Sequence, residues 1–324
     1  MNFSLNEDQV ALQQGIRNFC EQEFPVDKLA ALEKAPVTRE RWKQLAEMGV
    51  FSLRLAESQG GVGLGMAEAV LVFAELGRAL VPGPLVWSHL AAGAIDGAAG
   101  GDAIVGGIDA THATNRPQLI EHAAALDAFV VLDAGGLARA PARELAGRDF
   151  PTPLDPLTPV RHVAALPRGV ACGDAATAAR WRRDGALLSA ALQLGIAERT
   201  LELAVEYAKK REQFERPIAS FQAIKHLAAD MYVRVESARA AVYAAGATCD
   251  DPAIGSAERA SSSARIVAGD AALKNARACV QIYGGMGFTW EMPPHYFLKR
   301  ALVLEQAFGT TDDHCERVAE SVGA

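Results

Sequence analysis

The sequence predicts a mostly helical chain with a small β-segment in its middle. Two stretches with helix-period apolar residues flank a region of short apolar runs broken by Gly, Pro and Asp, and the helical patterns after residue 174 are far longer than those before residue 88. The chain thus reads as an N-terminal helical domain (1–88), a short β-domain (89–173) and a C-terminal helical bundle (174–324).

In the first segment, Asn6 or Ser4 is placed to cap a helix on which Val10, Ile16, Phe19 and Cys20 recur, and Pro25 ends it. Thr38 caps a second helix through Trp42, Leu45, Ala46 and Met48, with Gly49 as its stop. In Glu57-Ser-Gln-Gly60-Gly61-Val-Gly63-Leu-Gly65, the glycine density marks backbone that turns sharply or approaches something closely. A third helix over 66–80 turns Val70, Phe73, Ala74, Leu76 and Gly77 inward before Pro82-Gly83-Pro84 stops it. In the middle, 103–108, 129–132 and 161–165 read as strands, and Pro141, Pro151, Pro153, Pro156 and Pro159 keep regular structure short. Beyond Asp174, helices are expected over 175–210, 220–248 (capped by Ser220), 255–283, 294–308 and 312–322. The three long ones suit a four-helix bundle, and the small residues over 238–247 permit close helix approach.

Composition excludes several functions. The chain has 324 residues, half of them hydrophobic, and a net charge of −7. That balance argues against nucleic acid or an anionic membrane as partner, because a polyanion needs a basic face. The N-terminus lacks the basic-then-apolar pattern of a signal peptide, and no run reaches the ~18 apolar residues a bilayer requires, so a cytoplasmic location is expected. Cys20, Cys172, Cys249, Cys279 and Cys315 are scattered without a C-x-x-C pair, so reduced thiols and no metal site are expected.

Two stretches carry the chemistry. Arg211-Glu-Gln-Phe214-Glu-Arg-Pro217-Ile-Ala-Ser-Phe-Gln222 joins two long helices, with Lys209, Lys210 and Arg211 at the negative end of the first. Gln281-Ile-Tyr-Gly284-Gly285-Met-Gly287-Phe-Thr-Trp-Glu ends another in glycines that let backbone N–H groups approach a ligand. Alone, Arg211 reads as a solvated helix end and Gly284-Gly285 as a helix C-cap turn. Trp42 and Trp290 read as packing residues, and His226, His295 and His314 as surface or satisfied histidines.

Taken in order, with the N-terminal glycine run and Gly309-Thr310 near the C-terminus, these motifs resemble the acyl-CoA dehydrogenase family over roughly 1–85 and 180–324. The resemblance implies that family's fold and FAD as cofactor. It places Arg211 on the pyrophosphate through a charge-assisted bond, Phe214 against the cofactor and Gln222 near the adenosine. Gln281, Gly284 and Gly285 would cradle the pyrophosphate of a neighbouring subunit's FAD, and Thr310 would hydrogen-bond the cofactor.

The sequence departs from the family where the reaction needs a base. The family removes an α-proton of an acyl-CoA with a carboxylate while hydride leaves the β-carbon for the flavin. Phe308 and Gly185 occupy the two positions where family members carry that base, so no catalytic residue is assigned. Ala186 stands where an arginine near the substrate is expected. Asp184 is a ~100° rotation from Gly185, and Glu305 lies about one turn before Phe308. No Thr-Glu-Pro-x-x-Gly-Ser-Asp-like segment or Trp-Ile-Thr-like strand is present, so the β-domain is truncated relative to the family.

The resemblance therefore implies a subunit of an FAD-dependent acyl-CoA dehydrogenase that is expected to be inactive alone. It would complete the FAD site of a full-length catalytic partner in a hetero-oligomeric dimer of dimers, as in bacterial enzymes acting on steroid side-chain CoA thioesters. An electron-transfer flavoprotein or similar acceptor would take the electrons. Two other readings stay open: a self-sufficient homo-oligomer with Asp184 or Glu305 as displaced base, and a flavin-free scaffold or binding protein.

Overall fold

The computed structural model describes residues 5–111 and 118–323. In chain order, α1 (Glu7–Glu23), α2 (Leu29–Leu32), α3 (Arg39–Glu47), α4 (Met66–Arg78) and α5 (Leu85–Ala91) precede the strands. These are β1 (Val105–Asp109), β2 (Gln118–Glu121), β3 (Ala128–Leu132), β4 (Leu137–Pro141), β5 (Gly147–Asp149), β6 (Val160–Val163) and β7 (Val170–Gly173). Then come α6 (Ala175–Lys210), the short strands β8 (Glu212–Gln213) and β9 (Arg216–Pro217), α7 (Gln222–Asp250), α8 (Ala257–Tyr283), α9 (Pro294–Leu304) and α10 (Thr311–Gly323).

Local sequence explains most helix starts. Asn6 accepts from the Gln9 N–H at 2.8 Å and the Gln9 side chain accepts from the Asn6 N–H at 3.1 Å, a reciprocal capping box on α1. Ser4, the other candidate cap, lies outside the described residues. Thr38 caps α3 and Ser256 caps α8. Ser220 does not cap α7. A 3-10 turn over Ile218–Ser220 leaves Phe221 at the cap, with no side-chain cap bond. The Arg216 guanidinium lies 4.3 Å from the Phe221 ring centroid, and Phe214 meets that ring edge-on at 6.0 Å, so ring packing replaces the hydroxyl. α9 ends at Leu304, earlier than the 308 expected: the Gln306 and Ala307 N–H groups bond three residues back, to Val303 and Leu304, before the backbone turns left-handed at Phe308 (φ 56°) and Gly309 (φ 107°).

Contacts divide the chain into two compact units: Met1–Ala31 with Met66–Val81 and Leu187–Ala324, and Leu32–Gly65 with Pro82–Ala186. This division differs from the three segments read along the chain, because α1 and α4 bury their apolar faces within the unit of the C-terminal helices.

In that helical unit, α4 is buried from Ala69 to Gly77. A Cβ on Gly77 would lie 2.1 Å from the Leu192 carbonyl oxygen and one on Gly195 1.9 Å from that of Ala74, so α4 and α6 cross where neither carries a side chain. The Asp250 carboxylate at the end of α7 accepts from the Met66 and Ala67 N–H groups at 2.7 and 2.8 Å, capping α4 from a distant part of the sequence. Arginine–carboxylate forks join Arg17 to Glu75 and Arg78 to Glu202, and Arg239 grips Glu198. Burial pushes the Glu198 carboxyl up against the pull of Arg239 and Arg78.

In the other unit, one sheet has the order β1-β3-β4-β7 with β1 and β3 parallel, and a second has the antiparallel order β2-β6-β5. Val105, Val130, Leu132 and Leu137 pack with Ala91, Ala178 and Trp181 into one apolar cluster. Trp42 is buried and stacks on Phe51 at 4.7 Å, as a packing residue should. In the helical unit, Trp290 is 61% exposed, meets the His295 and Tyr296 rings edge-on, and has the Lys299 ammonium 4.3 Å over its ring.

Candidate functional site

The two motif stretches meet at one end of the helical unit. The Tyr207 and Tyr283 rings stack at 3.9 Å with an interplanar angle of 14°, tying the last turn of α6 to the last turn of α8. The chain leaves both helices there: the Arg211 N–H caps back to the Tyr207 carbonyl, and the Gly284 N–H to that of Gln281. Arg211, Phe214, Gln222, Gln281, Gly284 and Gly285 are thereby gathered at this end, and all six are exposed.

Their conformations are unusual for surface residues. β8 and β9 form a hairpin whose two turn residues, Phe214 (φ 53°) and Glu215 (φ 61°), are both left-handed, and Phe214 is 86% exposed. Non-glycine residues held so are a strain that clusters at ligand sites. Among the described residues Arg211 makes no side-chain hydrogen bond or ion pair. A Cβ on Gly284 or Gly285 would meet nothing within 4 Å, so packing among the described residues does not account for them. Gly284 needs its freedom for φ +62°, whereas Gly287 is required internally, its Cβ position being 2.6 Å from the Val280 carbonyl oxygen. An exposed guanidinium and open glycine backbone at the same end of the helical unit are groups that could hold a pyrophosphate.

The base positions are built differently. Phe308, at one of the two expected base positions, is buried at φ 56° and offers an aromatic ring rather than a carboxylate. Glu305 accepts from the Thr311 N–H at 2.8 Å and pairs with Arg265 at 3.3 Å. Thr310 caps α10: its hydroxyl and N–H both donate to Asp313 at 2.8 Å, and its oxygen accepts from the Asp313 N–H at 3.3 Å. In the other unit, Gly185 is buried on α6 without a side chain. Asp184 beside it is 3% exposed and clasped by Arg54 at 3.0 Å and Arg183 at 2.7 Å. Both carboxylates nearest the base positions are thus already engaged.

His226 is exposed, and His295 and His314 are buried. His89, which the motif reading passed over, is buried with Nδ1 2.8 Å from the Val50 carbonyl oxygen, and burial pushes its pKa down to about 4. Burial likewise pushes His314 to about 4, with Arg317 adding to the effect. The five cysteines are free, and no cluster of three or more His, Cys, Asp or Glu able to hold a metal occurs among the described residues. No helix among the described residues is long and apolar enough to cross a membrane.

Comparison with known proteins bears on this arrangement. The profile of the acyl-CoA dehydrogenase N-terminal domain matches residues 6–100 and that of the C-terminal domain residues 183–323. Acyl-CoA dehydrogenase IpdE2 of Mycobacterium tuberculosis is 37% identical over 269 residues, covering 80% of this chain and 79% of that protein. Acyl-CoA dehydrogenase FadE34 of the same organism is 31% identical over 79% of this chain, yet the match takes only 38% of that longer protein. A chain in the crystal structure of the ChsE4–ChsE5 complex from M. tuberculosis superposes with a TM-score of 0.86 at 26% identity, covering 100% of this chain and 99% of that one.

Proposed function

This chain belongs to the acyl-CoA dehydrogenase family of oxidoreductases acting on CH–CH donors, and from that premise we propose that it completes the FAD site of a catalytic partner while carrying no base of its own. One contrast carries the reading. Asp184 and Glu305, the carboxylates nearest the base positions, are held by arginines or a backbone N–H, while the Arg211 side chain at the motif-bearing end makes no hydrogen bond or ion pair among the described residues. A base must present a free lone pair to the substrate, and a phosphate-binding arginine must present a free guanidinium.

Members of the family are flavoproteins that bind FAD. When bound, the flavin supplies the hydride acceptor for α,β-dehydrogenation of an acyl-CoA thioester. This chain's part is to hold the adenosine–pyrophosphate end: Arg211 and the Gly284-Gly285 backbone on the pyrophosphate, Gln222 and Gln281 as hydrogen-bonding side chains, Phe214 as a packing ring, and Thr310 as a further contact. The partner is a full-length subunit with an intact Glu-Gly-Thr, which supplies the base and the flavin-ring and acyl pockets in a dimer of dimers. Two comparisons support a partnered role: the similar chain in a complex of two named components, and the longer relative of which this chain matches 38%. The finer substrate reading is a steroid side-chain CoA thioester, with an electron-transfer flavoprotein as acceptor.

The test is acyl-CoA-dependent dye reduction by this chain alone, by the partner alone and by both. Turnover that requires both chains is the expected result. Turnover by this chain alone overturns the reading in favour of a displaced base.

A further inference from the structure

The helical unit contains a fully buried guanidinium that no assigned cofactor contact uses. Arg265 on α8 is 0% exposed. Its Nη1 donates to Gln193 at 2.8 Å and to Glu305 at 3.3 Å, and its Nη2 donates to the carbonyls of Leu304 at 2.7 Å and Gly309 at 3.4 Å. Those carbonyls are the two ends of the turn that follows α9. Between them the chain passes through Phe308 at φ 56° and reaches Gly309 at φ 107°. A left-handed phenylalanine persists only where its surroundings over-determine it. One guanidinium gripping both ends of the turn contributes that constraint beside the His314 bond to the Phe308 backbone, and it gives the Leu304 carbonyl a second donor beside the Ala307 N–H.

The neighbourhood is built around this clamp. A Cβ on Gly269, one helical turn along α8, would lie 2.9 Å from Arg265 Nη1 and 3.2 Å from Glu305 Oε2. Glycine there makes room for the ion pair. Gln193 approaches from α6, so the clamp links α6, α8 and the turn. Glu305 also accepts from the Thr311 N–H, which carries the connection into the first residue of α10. A buried arginine left without these acceptors would be costly, so the turn and the guanidinium hold each other in place.

We infer that Arg265 is a positioning residue that clamps the turn from Leu304 to Gly309 and so fixes where Gly309-Thr310 is presented. The consequence for FAD rests on the reading above that Thr310 meets the cofactor. The test compares R265M, R265K, G269A and T310A as full chains in the FAD-containing assembly. Hydrogen exchange reports on amides 305–311, and flavin fluorescence reports FAD release. R265M and G269A are expected to raise exchange over 305–311 by tenfold or more, with α7 unchanged, and to weaken FAD retention by a similar factor. R265K keeps the charge but cannot fork to two carbonyls, so it should restore exchange part-way. Unchanged exchange over 305–311 in R265M and G269A overturns the clamp, as does a uniform rise across the unit. If R265M does not fold, G269A and R265K decide by the same criterion. If local exchange rises while R265M and T310A both retain FAD as the parent chain does, the clamp stands and the cofactor role of Thr310 is what fails.

Discussion

The motif-bearing end of the helical unit and the two base positions answer the same family pattern in opposite ways. At the first, among the described residues, the Arg211 side chain makes no hydrogen bond or ion pair, Phe214 stands 86% exposed on a strained turn, and a Cβ on Gly284 or Gly285 would meet nothing within 4 Å. At the second, an aromatic ring and a glycine fill the positions, and the adjacent carboxylates are locked. Under the proposed function, groups kept for a ligand from outside the chain stay unpaired at a cost in strain and exposed apolar surface. Asp184, which is buried, and Glu305 are absorbed into ion pairs of the fold, as a buried carboxylate is stable only when paired.

The largest expected effect tests the locked side. Asp184→Asn breaks a buried pair and should cost about 3 kcal/mol in chemical denaturation, with turnover of the assembled enzyme unchanged. Lost turnover at parental stability would instead make Asp184 a base. Next is pH. Native His89 stays neutral down to about 4, while the unfolded imidazole takes a proton below about 6.5. Its contribution to stability is therefore complete above pH 6.5 and is lost as pH falls from 6.5 to 4, on the order of 3 kcal/mol at the acid end. His89→Gln should flatten that slope in denaturation curves, and His314 adds a loss of the same sign.

The open side predicts a different signature. Arg211→Ala should weaken FAD binding in the assembly by ~1.5–3 kcal/mol, the worth of a charge-assisted contact, and leave the chain's own stability within ~0.5 kcal/mol. Isothermal titration with FAD and a thermal melt read both. An unchanged FAD affinity would remove Arg211 from the site. The smallest effect is a null: Phe308→Glu should give no acyl-CoA oxidation by this chain alone, and detectable turnover would show that a complete pocket is present.

What was legible in the sequence followed from local chemistry. The capping residues Asn6 and Thr38, Gly49 as a helix stop and the period of α6 and α8 each depend on neighbours a few residues away, and the structure places them as read. Motif order gave the family without any contact being known. Groups joined over long sequence separations were not legible. Asp250 caps α4 across 184 residues, Arg265 reaches a turn some forty residues on, and Tyr207 finds Tyr283 only when the helices pack. A single arginine among Ser261, Ser262, Ala264, Ala268 and Gly269 was the available signal for Arg265, since such a small-residue face is built for burial. Ser220 failed as a cap for a related reason: the aromatic contacts that displaced it are absent from any capping pattern.

The flavin absorbance spectrum, normalised to polypeptide, tests the central claim most directly. It is recorded on this chain purified alone and again after co-purification with a full-length relative carrying Glu-Gly-Thr. The account predicts a colourless lone chain and a single FAD shared by each pair of chains. Stoichiometric FAD in the lone chain, retained in Arg211→Ala, would contradict it.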